Sequence, residues 1–281
     1  MQVYIGIDWS ATKHDVVWMN DAGGVITSAV IQHNVSGFQK LEKHRQQLQI
    51  ERADCLVGLE TSHNLLIDYL WAQGYSQISM VPPKVVKGSR SRYKSSGAYT
   101  DQDDARLLAD ILRTDRAALQ PWRPDSLLTQ QMRSRVSLHM HLTQSIVRTG
   151  NRLRSILLRY YPAALEVFDD LHSQVALRFI RAYPEPDAAK ALSYQTFVDF
   201  VRQQRYPCPH KLPACYARLQ TAYPQALPET VQVYRHEAVL LADQLVQLVL
   251  AKRDSLKALQ VLFDQHPDAE IFRSLPGAGP F

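Results

Sequence analysis

The sequence has little of what marks secreted and membrane proteins. It contains three cysteines, Cys55, Cys208 and Cys215, an odd number with no CxxC pair, which argues against a disulfide framework and for a reducing compartment. The first residues lack the basic start and long apolar core of a signal peptide. No stretch approaches the roughly 18 consecutive apolar residues of a membrane helix. We therefore expect a cytoplasmic protein without a membrane partner.

A strong excess of charge is also missing. Lysine and arginine total 32 against 27 acidic residues, a formal charge of +5 over 281 residues. This modest excess permits nucleic-acid binding without demonstrating it. Hydrophobic residues make up 46% and charged residues 21%, which allows a buried core and argues against wholesale disorder. The length is typical of two domains, or of one domain with an extension.

The N-terminal part predicts a mixed α/β domain. The predicted strands are 3–8, 14–20, 25–31, 54–60 and 78–81, and the predicted helices are 38–48, 65–71 and 101–113. Tight turns between the first three strands predict an antiparallel meander, and the later crossover helices imply parallel pairing. A meander followed by such crossovers is the arrangement of ribonuclease-H-like folds, although topology alone says little about function.

From Pro121 onward the pattern becomes helical, and we expect no strand there. Apolar residues recur at spacings of three, four and seven over 126–160, and a second helical pattern covers 229–263, which is typical of a helical bundle or coiled coil. Prolines between these segments predict short helices and loops, so we expect an antiparallel helix pair around an irregular insert. The predicted domains are 1–118, an α/β ribonuclease-H-like domain, 119–270, an all-α coiled-coil-like region, and 271–281, a separate terminal segment.

Four carboxylates are placed to share one site. Asp8 and Glu60 end two strands that are neighbours in a ribonuclease-H-like sheet, and Asp101 and Asp104 share a helix face. Crowded carboxylates repel one another, and a folded protein tolerates this mainly when a cation neutralises them. Hard oxygen ligands without cysteine or histidine favour Mg²⁺ or Mn²⁺. Two such ions can activate a nucleophile and stabilise the leaving oxygen in phosphoryl transfer.

Each acid also has an ordinary structural role available. A single aspartate after a strand is usually a turn residue or a helix cap. The run around Asp101, Asp103 and Asp104 can be an acidic helix start favoured by the helix dipole. Asp103 faces away from the other two on a helix and is left outside the set. The position of all four acids within one consistent fold favours the metal site.

Two basic segments are candidate contacts to nucleic acid. The first, predicted as a loop beside the metal site, consists of Lys84, Lys87, Arg90, Arg92 and Lys94. The second is a stripe on the long helix formed by Arg148, Arg152 and Arg159. Cations in such places suit contact with the phosphate backbone. A solvated charged face is the alternative for both segments.

Three motifs carry a family resemblance that spans essentially the whole chain. They are Ile5-Gly6-Ile7-Asp8, Gly58-Leu59-Glu60 and Asp101-Gln102-Asp103-Asp104-Ala105-Arg106-Leu107-Leu108-Ala109. The last resembles the Lys-(Ser/Thr)-Asp-x-x-Asp-Ala-x-x-Leu-Ala pattern of the DEDD-type insertion-sequence transposases, relatives of the Piv and MooV DNA invertases, with an insertion between Lys94 and Asp101. The closing Pro276-Gly277-Ala278-Gly279-Pro280 resembles the opening of that family's C-terminal domain, so 271–281 is interpreted as the start of a truncated domain.

The resemblance implies a concrete function. It implies a RuvC-like domain in which Asp8, Glu60, Asp101 and Asp104 are the catalytic ligands of Mg²⁺ or Mn²⁺, followed by a coiled-coil region. It also implies a serine nucleophile beyond Phe281, a phosphoserine intermediate in cutting and rejoining DNA, and a structured non-coding guide RNA. The expected state is a homo-oligomer, a dimer or tetramer, in a bacterial or archaeal cytoplasm and associated with the nucleoid.

Two alternatives stay open at this point. The first is a RuvC-like metal-dependent nuclease that uses the same acids with water as the nucleophile. The second is a catalytically incomplete fragment that binds nucleic acid and oligomerises. No serine of this chain is assigned as the nucleophile, so we expect the 281 residues alone to be inactive.

Overall fold

The computed structural model describes residues 2–61, 64–92 and 99–277, and the chain divides into two compact units. The first unit comprises Met1–Pro124 and the second Asp125–Phe281. Each unit has hydrophobic clusters made of its own residues. The two are therefore described separately.

The first unit is an α/β domain. Its strands are β1 (Val3–Trp9), β2 (Lys13–Met19), β3 (Val25–Gln32), β4 (Cys55–Leu59), β5 (Gln77–Met80) and β6 (Gln120–Pro121). Its helices are α1 (Val35–Gln47), α2 (Leu65–Ala72), α3 (Pro83–Ser89) and α4 (Asp101–Asp115). Except for β6 and α3, these elements lie within a few residues of the predicted ones.

Within the described residues, one mixed sheet has the strand order β3-β2-β1-β4-β5-β6. The pairs β1–β2 and β2–β3 are antiparallel, and β1–β4 and β4–β5 are parallel. The predicted meander and the predicted parallel crossovers are thus confirmed. The short strand β6 was not predicted, because its two residues, one of them a proline, carry no alternating pattern. It pairs antiparallel with β5.

Both faces of the sheet are covered, and β1 alternates between them. Val3, Ile5 and Ile7 join the hydrophobic cluster that contains buried residues of α1 and α2. Tyr4 joins the cluster that contains residues of α3 and α4. Because successive side chains of a strand point to opposite faces, Gly6 and Asp8 lie on the α4 face with Tyr4. The alternation therefore directs Asp8 toward α4.

The basic segment after β5 is helical, which corrects the predicted loop. Pro82 and Pro83 end the strand, but Pro83 also occupies the first turn of α3, where the fixed φ of proline suits a helix. A 3₁₀ turn, Arg90–Arg92, follows α3. Lys94 lies outside the described residues.

The second unit consists of helices and connecting loops, with no strand among its described residues. Its helices are α5 (Leu127–Tyr160), α6 (Gln174–Ala182), α7 (Pro186–Lys190), α8 (Tyr194–Gln203), α9 (Leu212–Leu219), α10 (Pro228–Asp264) and α11 (Ala269–Arg273). The predicted long helices α5 and α10 pack against each other, and Arg152 of α5 forms an ion pair with Glu237 of α10 at 2.7 Å. A coiled-coil geometry and an antiparallel direction stay predictions.

The insert between the two long helices contributes buried aromatic residues to a hydrophobic core. Phe168, Phe179 and Phe197 contact one another with ring centroids 5.8–6.3 Å apart, and all three are buried. They belong to the same hydrophobic cluster as buried residues of α5 and α10. The proline-punctuated segment, predicted as short helices and loops, therefore folds as part of the second unit.

Two predicted absences can be compared with the structure. Cys55, Cys208 and Cys215 are free thiols. Over residues 2–61, 64–92 and 99–277, no helix has the length and apolar character needed to cross a membrane.

Candidate active site

The parallel pairing of β1 and β4 brings Asp8 and Glu60 to one edge of the sheet. Ile7 pairs with Leu59 in this ladder, and the two acids occupy the next positions. Along β4, Leu56 belongs to the cluster on the α4 face, so Gly58 and then Glu60 continue on that face by the same alternation. The sequence prediction that these two carboxylates leave neighbouring strands is consistent with this register.

Gly6 allows α4 to lie directly on β1. A Cβ at this position would come within 2.0 Å of the Ala105 carbonyl oxygen and 2.4 Å of the Ala109 amide nitrogen. Such distances leave no room for a side chain, so the close approach of helix and strand requires glycine. Asp104 immediately precedes Ala105, and Asp101 lies one turn earlier. The packing thus sets both acids near the end of β1.

The first turn of α4 separates the roles of its three aspartates. The Thr100 hydroxyl accepts a hydrogen bond from the Asp103 amide at 3.2 Å, and the Asp103 carboxylate accepts one from the Thr100 amide at 3.0 Å. This reciprocal pair is a capping box, which satisfies two backbone donors at the helix start. Asp103 therefore has a structural role of its own.

The four predicted acids influence one another electrostatically. Burial, followed by the charges of Asp104, Asp101 and Glu60, raises the pKa of Asp8 to about 6. Burial and the charge of Asp104 likewise raise the pKa of Glu60, while Arg90 and Lys87 act in the opposite direction. The fold thus concentrates negative charge at the place predicted from the sequence.

Two cations compensate part of that charge. The Arg90 guanidinium donates to both carboxylate oxygens of Asp104, with Nε–Oδ1 at 3.2 Å and Nη2–Oδ2 at 2.8 Å. The Lys13 ammonium lies 3.1 Å from an Asp101 oxygen and 3.7 Å from an Asp15 oxygen. The sequence analysis assigned no role to Lys13 and predicted that Arg90 contacts nucleic acid. Neither pair has a helical or strand spacing that would have indicated it.

In this arrangement the acids do not converge as a closed set of metal ligands. Among the residues that the structure describes, no three side chains of cysteine, histidine, aspartate or glutamate are grouped so that they could hold one ion. Arg90 engages both oxygens of Asp104. Metal ligation by the four acids therefore stays a prediction.

The other predicted nucleic-acid contacts are mostly solvent-exposed. Lys84 and Lys87 lie on the exposed side of α3, and Arg148, Arg152 and Arg159 are exposed on α5. Arg152 forms the ion pair with Glu237. Exposure is compatible both with phosphate contact and with a solvated face, so these residues stay candidates.

Proteins of similar sequence are named as transposases or as insertion-element proteins. The chain is 31% identical to a Streptomyces coelicolor mini-circle protein named as a transposase for IS117, over 100% of this chain and 69% of that protein. It is 26% identical to a Sinorhizobium fredii protein named as transposase y4uE, over 72% of this chain and 56% of that protein. An insertion element IS116 protein of Streptomyces clavuligerus is 25% identical over 99% of this chain.

The family match covers the part of the chain that contains all four acids. Residues 5–162 match the family of DEDD transposases of the IS110 type. This range begins within β1 and runs through α5, so nearly the whole sheet, α4 and all four acids lie within it. On this match and on the similarity to the IS117 protein, the chain belongs to the IS110-type DEDD transposase family.

Proposed function

We propose that this chain is the metal-binding catalytic part of a DNA transposase, with Asp8, Glu60, Asp101 and Asp104 as ligands of Mg²⁺ or Mn²⁺. The observation that carries the proposal is geometric: Asp8 and Glu60 follow paired residues of β1 and β4 on the face that α4 covers, and the first turn of α4 carries Asp101 and Asp104. Membership of a transposase family supplies the reaction class, the cutting and rejoining of DNA.

The donor chemistry fits a hard divalent cation. The four side chains offer only carboxylate oxygens, the ligand type that Mg²⁺ and Mn²⁺ prefer. Burial and then the charges of the neighbouring carboxylates raise the pKa of Asp8, and a bound cation would offset the repulsion among these charges. When bound, such an ion activates a nucleophile and stabilises the leaving oxygen of a phosphodiester. The chain's own residues would hold the ion at the sheet edge and orient the phosphate near it.

The basic side chains give this site a way to hold nucleic acid. Helix α3 packs against α4, so Lys84 and Lys87 lie on an element adjacent to the helix that carries Asp101 and Asp104. In this function they, with Arg90, Arg92 and Lys94, contact the phosphate backbone near the site. Arg148, Arg152 and Arg159, on α5 of the second unit, are further candidates for phosphate contact.

The remaining parts of the proposal concern the nucleophile and the partners of the chain. The chain spans 69% of the IS117 protein and 56% of the Sinorhizobium protein. We assign the nucleophilic serine to the C-terminal domain that the family resemblance implies, and we take a structured guide RNA and further copies of the chain as partners. The acids and the serine would then be complementary halves of one active site.

A cleavage assay on labelled DNA carrying the element's ends, with the element's non-coding RNA and Mg²⁺, tests this function. The 281-residue chain is compared with a version extended through the C-terminal domain. We expect cleavage and a covalent protein–DNA adduct from the extended form only, and loss of both in its Asp104→Asn variant. Cleavage by the 281-residue chain without an adduct would instead support the water-dependent nuclease. Nucleic-acid binding without cleavage by either form would support the binding and oligomerisation role.

A further inference from the structure

Arg90 is bound where the proposed metal needs a ligand. Its guanidinium forms a two-pronged, charge-assisted contact with Asp104, and both carboxylate oxygens are engaged. The Asp104 side chain is 19% exposed and that of Arg90 37% exposed, so the pair is partly shielded from water. A planar fork of this kind is a specific interaction that lysine cannot reproduce.

Arg90 is also held from its other side by Tyr99. The Tyr99 hydroxyl donates to the Arg90 carbonyl oxygen at 2.6 Å, and the guanidinium carbon lies 5.1 Å from the centre of the Tyr99 ring. A cation over an aromatic face at this distance is attracted by the ring. The position of Arg90 is therefore supported by contacts that do not depend on Asp104.

We propose that Arg90 is an exchangeable counter-ion, which neutralises Asp104 in the metal-free chain and gives it up when a divalent metal binds at the acid cluster. This inference rests on the proposed function, because it takes Asp104 as a metal ligand. Arg90 is then a positioning residue that acts through Asp104. Tyr99 retains the released arginine at the edge of the site, since its contacts to the backbone and the ring remain.

The exchange has an unusual consequence for binding. Because metal must displace Arg90 from Asp104, removal of the guanidinium should strengthen metal binding while it weakens the metal-free fold. A purely structural salt bridge would give the second effect without the first. A residue that ligates the metal directly would give the opposite effect on affinity.

Lys87 provides the matched control. Like Arg90, it lowers the pKa of Glu60 through its charge, so it belongs to the same local field. In the described part of the chain, Lys87 makes no ion pair or side-chain hydrogen bond with any of the four acids. The Lys87→Gln variant therefore removes a positive charge near the site without breaking a contact to Asp104.

The test is a calorimetric titration with Mn²⁺. It compares the 281-residue wild type with the Arg90→Gln, Arg90→Lys and Lys87→Gln variants. Circular dichroism first verifies that each variant is folded, and metal-free thermal unfolding is recorded in parallel. We expect a dissociation constant roughly two- to fivefold lower for Arg90→Gln, the range set by the free energy of one ion pair, with a lower metal-free melting temperature. Arg90→Lys should lie between wild type and Arg90→Gln, and Lys87→Gln should stay near wild type.

Three results would overturn the exchange. An equal gain in Lys87→Gln would mean that only the general field matters, and unchanged or weaker binding in Arg90→Gln would mean that Arg90 does not compete with the metal. Neither of these two results would contradict the proposed metal site itself. Absence of Mn²⁺ binding in all four proteins, wild type included, would overturn the proposed metal site and the exchange with it.

Discussion

Asp8 illustrates how the fold places one carboxylate among others at a cost in stability. It lies on the α4 face of the sheet, where burial and the charges of four neighbouring carboxylates, those of Asp104, Asp101, Glu60 and Asp15, raise its pKa to about 6. The ordinary value for this group is 3.8, so the folded protein holds the Asp8 proton more tightly than the unfolded chain does. Stability that derives from the protonated form is present at low pH and is lost as the pH rises from about 4 through about 6.

The first prediction follows from the raised pKa of Asp8. At pH 8 and without divalent metal, Asp8→Asn should raise the free energy of unfolding by about 1–3 kcal/mol, since one pKa unit corresponds to about 1.4 kcal/mol and solvent screening reduces the sum. At pH 4 the two proteins should differ little, because Asp8 is then largely protonated in the fold. Urea unfolding of both proteins at the two pH values, with a chelator present, measures this. A gain of equal size at both pH values would contradict the role of the ionised carboxylate.

At this scale the sequence predicted the four acids as one site but did not predict their counter-ions. Asp8 and Glu60 were proposed because each follows an apolar strand, and Asp101 and Asp104 because their spacing gives one helix face. The contacts of Lys13 with Asp101 and of Arg90 with Asp104 depend on how separate elements pack. No local pattern encodes such a pair, so neither was predictable.

The packing of α4 on the sheet is the decisive feature among the elements. Helix α4 contacts β1, β2 and β4, and its backbone leaves no room for a Cβ at Gly6 of β1. Glycine within a strand often indicates close approach of another backbone, so this signal was present in the sequence. The helix start, set by Thr100 and Asp103, then determines which aspartates face the sheet edge.

The second prediction concerns this contact. Gly6→Ala should destabilise the protein by about 3 kcal/mol, because the added methyl group meets the α4 backbone, which cannot move aside as a flexible side chain would. The control is Gly88→Ala in α3, where an added Cβ meets nothing within 4 Å and helix propensity favours alanine by up to about 1 kcal/mol. Chemical denaturation compares the two. Equal effects of the two substitutions would show that the approach of α4 at Gly6 is not tight.

Some strands and helices of the first unit have a recognisable sequence pattern, and others have none. The strands β1 to β5 and the helices α1, α2 and α4 were predictable from alternation, apolar spacing and turn residues. Strand β6 is too short to have a pattern, and α3 lies in a charged segment whose prolines suggested a break. In both cases pairing or packing against the rest of the domain supplies what the local sequence lacks.

The two units of the whole chain differ in what they contain. All four acids lie in the first unit, which ends at Pro124, and the first unit also has its own hydrophobic clusters on both faces of the sheet. The second unit combines two long helices with an aromatic core. Apolar periodicity predicted the long helices, but the aromatic core joins residues from separate short helices and could not be read from spacing.

The third prediction is that the first unit suffices for the metal site. A fragment comprising residues 1–124 should unfold in a single cooperative transition and bind Mn²⁺ with the affinity of the full chain, because every proposed ligand and the covering helices are included. Circular dichroism during thermal unfolding and a Mn²⁺ titration examine the two parts of this statement. A fragment that folds but binds the metal much more weakly would show that the second unit contributes to the site.

The most direct measurement of the central claim compares Mn²⁺ binding to three versions of the 281-residue chain by calorimetry at pH 7.5. They are the wild type, Asp8→Asn and Asp103→Asn, the last a matched substitution of an aspartate that serves the helix cap. The account predicts binding by the wild type, nearly equal binding by Asp103→Asn, and a loss of at least about tenfold in affinity for Asp8→Asn, since one carboxylate ligand is removed. Equal binding by all three proteins would contradict the assignment of the four acids as a metal site.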